Sequence, residues 1–294
     1  MTKAPRRKRQ SERVLIRSDR QEFIEGFEVG TSLLRNTTVT EAVIKGNQAT
    51  FLVADSGGAV AQTRGVNGLI PSRTDNLNQY TATLVEQHDL VQRTGFNLFA
   101  SQGDGKRIMQ ETSMKVINRT IDLDILSALA GATYNTSTAQ VASMALVLKA
   151  RTKLGNNAVP IDEIDNMFFV ITPGFMGYLL QIKEFVNVLW VDAKPLVGPT
   201  TPNGSSGNKR MMRWAGFNWV ETPLITGTGT NDELCYAFHR NAIGHAVNTG
   251  EIMAEADYHR RQDYSWARTS VYMGSKLLQA KGVIQVAHDG SALA

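Results

Sequence analysis

The sequence predicts an α+β fold, with helices and strands mixed but without strict alternation. Three observations predict it. Met114, Ile117, Ile121, Ile125 and Leu129 recur at spacings of three and four, which marks one long amphipathic helix. Residues 41–90 are rich in Thr, Val, Gly, Asn and Gln and read as a long hairpin. The last third carries strand patterns at Phe217–Val220, Leu234–His239, Trp266–Tyr272 and Gly282–Val286.

In chain order, residues 1–40 read as an extended arm with one short helix around Gln21–Phe27. In the hairpin, Ala49–Val53 and Tyr80–Val85 supply β-formers, and Asp55-Ser56-Gly57-Gly58 and Asn67-Gly68 supply turns. Two strands alone are marginal, so the hairpin needs a surface to lie on. The long helix is expected over Asp104–Leu129, with Gly131 as its stop. A second helix is expected from Ser137 or Thr138 to Leu154, ended by Gly155 with Pro160 beyond. A buried strand, Met167–Ile171, leads to a third helix over Gly174–Lys183, with Thr172 as N-cap and Pro173 at the first position. Residues 184–215, with three prolines and Asn203-Gly204-Ser205-Ser206-Gly207-Asn208, read as a surface loop.

Composition narrows the function. The chain has 294 residues, 42% hydrophobic and 20% charged, which is ordinary globular composition. No apolar run reaches the roughly 18 residues needed to span a bilayer. The basic start is followed by Gln10, Ser11 and Glu12 and not by an apolar leader core, which implies a cytosolic protein. A single cysteine, Cys235, excludes an intrachain disulfide and reads as a small buried hydrophobe. Charge is concentrated at one end: residues 1–20 carry a net +6 of the chain's +4, leaving the body at −2. Such an arm can sit on phosphates or on an acidic neighbour.

The usual catalytic constellations are missing from the sequence. Gly227-Thr228-Gly229-Thr230-Asn231 lacks a phosphate-loop lysine and reads as a turn. Asp162, Glu163 and Asp165 have no histidine nearby in sequence to complete a metal set. Asp122 and Asp124 lie two apart on a helix and do not share a face. His239 and His245 would stand about 20 Å apart on a strand, too far to hold one ion, so packing roles are expected of them. No Gly-x-Ser-x-Gly elbow is present. The expectation is a protein that is not an enzyme, with no cofactor and no metal. Basic residues beside aromatics occur at Lys209-Arg210-Met211-Met212-Arg213-Trp214 and at Tyr258-His259-Arg260-Arg261. The candidate contact residues, for another subunit or for DNA, are Arg6, Arg7, Lys8, Arg9, Arg64, Arg73, Arg210, Arg213 and Trp214.

Three stretches carry a family resemblance. Ser113-Met-Lys-Val-Ile-Asn-Arg-Thr-Ile-Asp-Leu-Asp-Ile-Leu, running on to Gly131, is one. Leu146 to Pro160 followed by Phe168-Phe-Val-Ile-Thr-Pro-Gly-Phe-Met-Gly-Tyr-Leu-Leu is the second, and Gly282-Val-Ile-Gln-Val to Asp289 is the third. In that order and spacing they resemble the major capsid proteins of tailed bacteriophages, whose fold herpesvirus shells and encapsulins share. The resemblance implies an N-terminal arm over 1–40, an extended loop over 41–90, a peripheral domain with a spine helix over 91–136 and 248–294, and an axial domain over 137–247. It implies a subunit that joins itself in hexamers and pentamers of an icosahedral shell around double-stranded DNA. A separate scaffolding protein, a portal and a decoration protein are the implied partners, with no membrane. Lys45 is the only lysine between Lys8 and Lys106, and no acidic and Asn partners can be placed for it, so no crosslinking is expected. The competing readings are an encapsulin-type compartment, a nucleic-acid-binding protein that uses the arm, and an unrecognised hydrolase with a pocket of convergent groups.

Overall fold

The computed structural model describes residues 31–293 apart from 41, 57, 65–67, 69, 71, 73–75, 101–104, 187–210 and 249–252. The helix expected near Gln21–Phe27 lies outside the described residues, as does most of the loop expected over 184–215. The chain divides into two compact units.

The first unit includes Glu86–Thr120 and Thr249–Tyr272. Its sheet is built from β4 (Val85–Thr94), β10 (Met253–His259) and β11 (Tyr264–Leu277), in the order β10-β11-β4. After β4 come α1 (Gly95–Ala100) and α2 (Gly105–Ala130). The apolar stripe read from the sequence is buried at Ile117, Ile121, Ile125 and Leu129, whereas Met114 is partly exposed. Helix α2 ends where Gly131 was expected to stop it.

The second unit comprises Leu33–Val85, Ile121–Asn248 and Met273–Ala294. A three-stranded antiparallel sheet holds β1 (Val43–Lys45), β2 (Gln48–Asp55) and β3 (Asn76–Thr83). A five-stranded sheet in the order β12-β8-β5-β7-β6 holds β5 (Met167–Ile171), β6 (Met211–Trp214), β7 (Phe217–Glu221), β8 (Glu233–His239) and β12 (Val283–His288). Strands β5 and β7 are parallel; the other pairs in that sheet are antiparallel. A short strand, β9 (Ile243–Val247), pairs with the far end of β11 from Met273 to Leu277.

All five residues of β5 are buried, as befits a central strand covered on both faces. Around it sits an aromatic core. Phe169 stacks on Trp219 at 4.5 Å, and Phe217 and Phe175 close on the same pair. Helix α4 (Pro173–Leu179) follows β5 directly, with Pro173 at its start and the Thr172 hydroxyl accepting from the Phe175 amide at 3.2 Å. It is shorter than expected, and a further turn, α5 (Lys183–Val186), follows it.

The second expected helix is corrected at both ends. Helix α3 spans Met144–Asn156, capped by Ser143, whose hydroxyl accepts from the Leu146 amide. Ser137 and Thr138 do not start it because residues 134–140 lie along the outer edge of β12. The Gln285 amide donates to the Tyr134 carbonyl, the Thr136 amide to Gln285, and the Gln140 amide to Ala287. Gly155 lies inside the last turn, and the chain leaves the helix at Asn157 and Ala158, the latter at φ 58°. Leu146, Val147, Ala150 and Leu154 of α3 are buried, and the helix packs on β12 and β8.

Candidate assembly surface

The β2–β3 ladder aligns Gln48 with Thr83 and Asp55 with Asn76, so its two faces can be read residue by residue. One face turns Ala49, Phe51 and Ala82 inward, where they form a cluster with Ala246 and Leu278. Val39, Ala42, Val53, Tyr80 and Leu84 pack around that cluster. The approach is close: a Cβ at Gly244 would lie 2.7 Å from the Phe51 ring. The opposite face carries Leu52, 62% exposed, and Leu77, 67% exposed and paired across from Ala54. Val43, opposite Thr50, lies on that same face and is 56% exposed. Fully burying such a side chain contributes about 1.5–3 kcal/mol, and here that contribution is left unused. Farther along, Val60 and Ile70 are also exposed.

The basic candidates separate. Arg6, Arg7, Lys8, Arg9, Arg73 and Arg210 lie outside the described residues. Arg64 is exposed on the hairpin. Arg213 is half-exposed; its Nε donates to Asn218 Oδ1 at 3.0 Å, and its Nη2 pairs with the Asp165 carboxylate. Trp214 is a correction. Its ring is buried against Phe185 and Trp219, and its carbonyl accepts from the Trp219 indole N–H at 3.0 Å. Along β6 successive side chains point to opposite faces, so Arg213 faces solvent and Trp214 faces the core.

The polar clusters are closed and structural. Ser275, His245 and Asp124 come together, but the Ser275 hydroxyl donates to Asp124 at 2.5 Å and lies 2.8 Å from His245 Nδ1. The hydroxyl proton is held by the carboxylate, and the imidazole beside it is fully buried. Glu233, at the start of β8, is a buried residue the sequence reading missed. Its carboxylate accepts from the Gly229 amide at 2.7 Å, from His288 Nδ1 at 2.7 Å and from the Thr172 hydroxyl. A Cβ at Gly290 would stand 2.3 Å from its Oε1, so a glycine is needed beside it. The sequence signal was an acidic residue opening an otherwise apolar strand.

His239 and His245 are separated by a 3-10 turn, Arg240–Ala242. His239 accepts from the Asn241 amide and lies 3.4 Å from Glu163, whose carboxyl is held below its ordinary range chiefly by the Asn166 amide. Burial pushes the Cys235 thiol up to about 12, which keeps it protonated and unreactive. Among the described residues, no three His, Cys, Asp or Glu are grouped to hold a metal ion, and no helix is long and apolar enough to cross a membrane.

A surface of this kind, apolar on one face of an extended sheet, fits assembly. The family comparison decides the matter: the phage capsid protein family matches residues 28–290. The chain belongs to the phage capsid protein family. Solved structures agree in fold at low sequence identity. A chain of Mycobacterium phage Che8 superposes at TM-score 0.66 with 14% identity, covering 91% of this chain and 94% of that one. The capsid of cyanophage P-SCSP1u gives TM-score 0.66 and 12% identity, with 91% of each chain covered. The capsid of a native GTA particle gives 0.64 and 13%, covering 92% of this chain and 94% of that one. No curated protein matches the chain. This capsid protein is a structural component of a phage virion. The encapsulin and nucleic-acid-binding readings are not favoured.

Proposed function

We propose that this capsid protein joins copies of itself as hexamers and pentamers of an icosahedral shell that encloses double-stranded DNA. The outer face of the β2–β3 hairpin carries the reading. It offers Val43, Leu52 and Leu77 on a sheet whose other face is already packed. In a closed assembly one such patch is covered in every subunit by the same symmetric contact. The domain roles follow the capsid scheme: arm, extended hairpin, peripheral domain with α2 as spine, and axial domain with strands β5 to β8 of the five-stranded sheet. The basic arm, with Arg6, Arg7, Lys8 and Arg9, contacts a neighbouring subunit or the packaged DNA, as do Arg64, Arg73 and Arg210. The subunit performs no catalysis. It assembles in the host cytoplasm on a scaffolding protein, around a portal, and takes a decoration protein on its outside.

The test is to express the protein with its scaffold and examine it by sizing chromatography and negative-stain microscopy. Closed shells, or hexameric rings and tubes, are the expected species. A monomer that stays monomeric at every salt concentration would overturn the reading.

A further inference from the structure

We infer that Asp122 is a positioning residue for shell assembly, fixing the strap through which the arm joins the hairpin. The inference rests on the shell reading above. Asp122 lies on α2 and is 2% exposed. Its Oδ2 accepts from the Leu33 amide at 3.1 Å and its Oδ1 from the Leu34 amide at 3.0 Å. One carboxylate thus holds two consecutive backbone donors of a segment 88 and 89 residues away in sequence. The side chains of Leu33 and Leu34 are themselves buried, so the strap is inserted and not merely laid on.

The next turn of the chain follows that clamp directly. Leu34 is the N-cap of a 3-10 turn, Arg35–Thr37, and has no side-chain cap of its own. The turn is closed by the Thr37 hydroxyl donating to the Leu34 carbonyl at 2.7 Å. Asp122 thus holds, from a distant helix, the amide of the turn's N-cap residue and the amide just before it. The strap then meets β9: the Val39 amide donates to Ile243 at 3.0 Å, and the His245 amide donates to Val39 at 2.9 Å. Arg240 Nε donates to the Thr38 carbonyl at 3.2 Å. Val39 and Ala42 join the cluster beneath Phe51. The strap is pinned to α2 at one end and to the hairpin base at the other. Its register sets how the hairpin, assigned to contacts with neighbouring copies, is anchored at its base.

Asp122→Asn tests this. It preserves volume but turns one acceptor oxygen into a donor facing an amide. In the full chain, with scaffold, hydrogen exchange at Leu33 and Leu34 is expected to speed at least about tenfold and shell yield to fall at least about tenfold, with the circular dichroism of the protomer unchanged. Ile125→Val, on the same helix with the clamp intact, controls for stability and is expected to assemble as wild type. Equal loss of shells in that control, or normal shells from Asp122→Asn, overturns the inference. Should Asp122→Asn fail to fold, Asp122→Glu keeps the charge but moves the carboxylate by a methylene. Fewer or malformed shells are then expected, and a normal yield overturns the inference. Wild-type protein that forms no shells would instead sink the shell reading itself.

Discussion

The two sheets of the second unit use the same chemistry to opposite ends. The five-stranded sheet encloses its large side chains: Phe169, Phe217, Trp214 and Trp219 are all buried. The three-stranded sheet buries Ala49, Phe51 and Ala82 but leaves Leu52 and Leu77 to solvent. Both have the alternation of a strand. One has partners on both faces within its own chain and the other on only one. An apolar residue in a strand therefore says that a face is to be covered and leaves open whether the same molecule covers it.

The sharpest way to break the comparison is at the closed sheet. Trp219→Ala removes the ring that touches Phe169, Trp214, Phe185, Phe217 and Phe175. It is expected to cost about 3–5 kcal/mol, read by denaturant unfolding. Next comes the base of the open sheet. Gly244→Ala drives a methyl into Phe51 and is expected to cost about 1–3 kcal/mol, with accelerated hydrogen exchange confined to the hairpin.

A graded effect should appear at high pH. Burial raises the Cys235 thiol from 9.0 to about 12, so above pH 9 the unfolded chain releases a proton that the folded chain retains. Stability is full below that point and declines by about 1.4 kcal/mol per pH unit above it. Tyr236, raised by burial from 10.0 to about 12, adds a second decline beginning one unit higher. Cys235→Ala should remove the first limb of the curve while Tyr236 keeps the second; identical curves would contradict the assignment. The smallest change in protomer stability belongs to the exposed face. Leu52→Asp with Leu77→Asp is expected to shift the unfolding free energy by no more than about 0.5 kcal/mol while abolishing shells in negative stain. A large loss of stability there would mean that the face is already covered within the protomer.

Much of the closed sheet was legible because local signals agreed. Thr172 and Pro173 marked a helix start, the all-apolar Met167–Ile171 a central strand, and Ile117 to Leu129 a helix face. The failures have separable causes. Ser137 and Thr138 are good caps, yet their segment pairs with β12, so the tertiary contact outweighed the local preference. Strand β10 was missed because its alternation, Ala254-Glu255-Ala256-Asp257, is written in residues that strands disfavour. Strand β9 is buried at four consecutive positions, but Gly244 and His245 interrupt its apolar run in the sequence. The basic neighbours of Trp214 suggest a surface position, while the pleat of β6 decides its side. Glu233 and Asp122 act through partners distant in sequence, and no spacing rule could have paired them.

The segment from Tyr134 to Gln140, by running along β12, occupies the backbone donors and acceptors that the strand would otherwise offer to any extended chain. A shell protein accumulates at high local concentration, conditions under which unguarded strand edges nucleate amyloid-like stacking. With that edge sealed by its own polypeptide, recognition there passes from indiscriminate main-chain pairing to side chains, which can tell a correct neighbour from a wrong one.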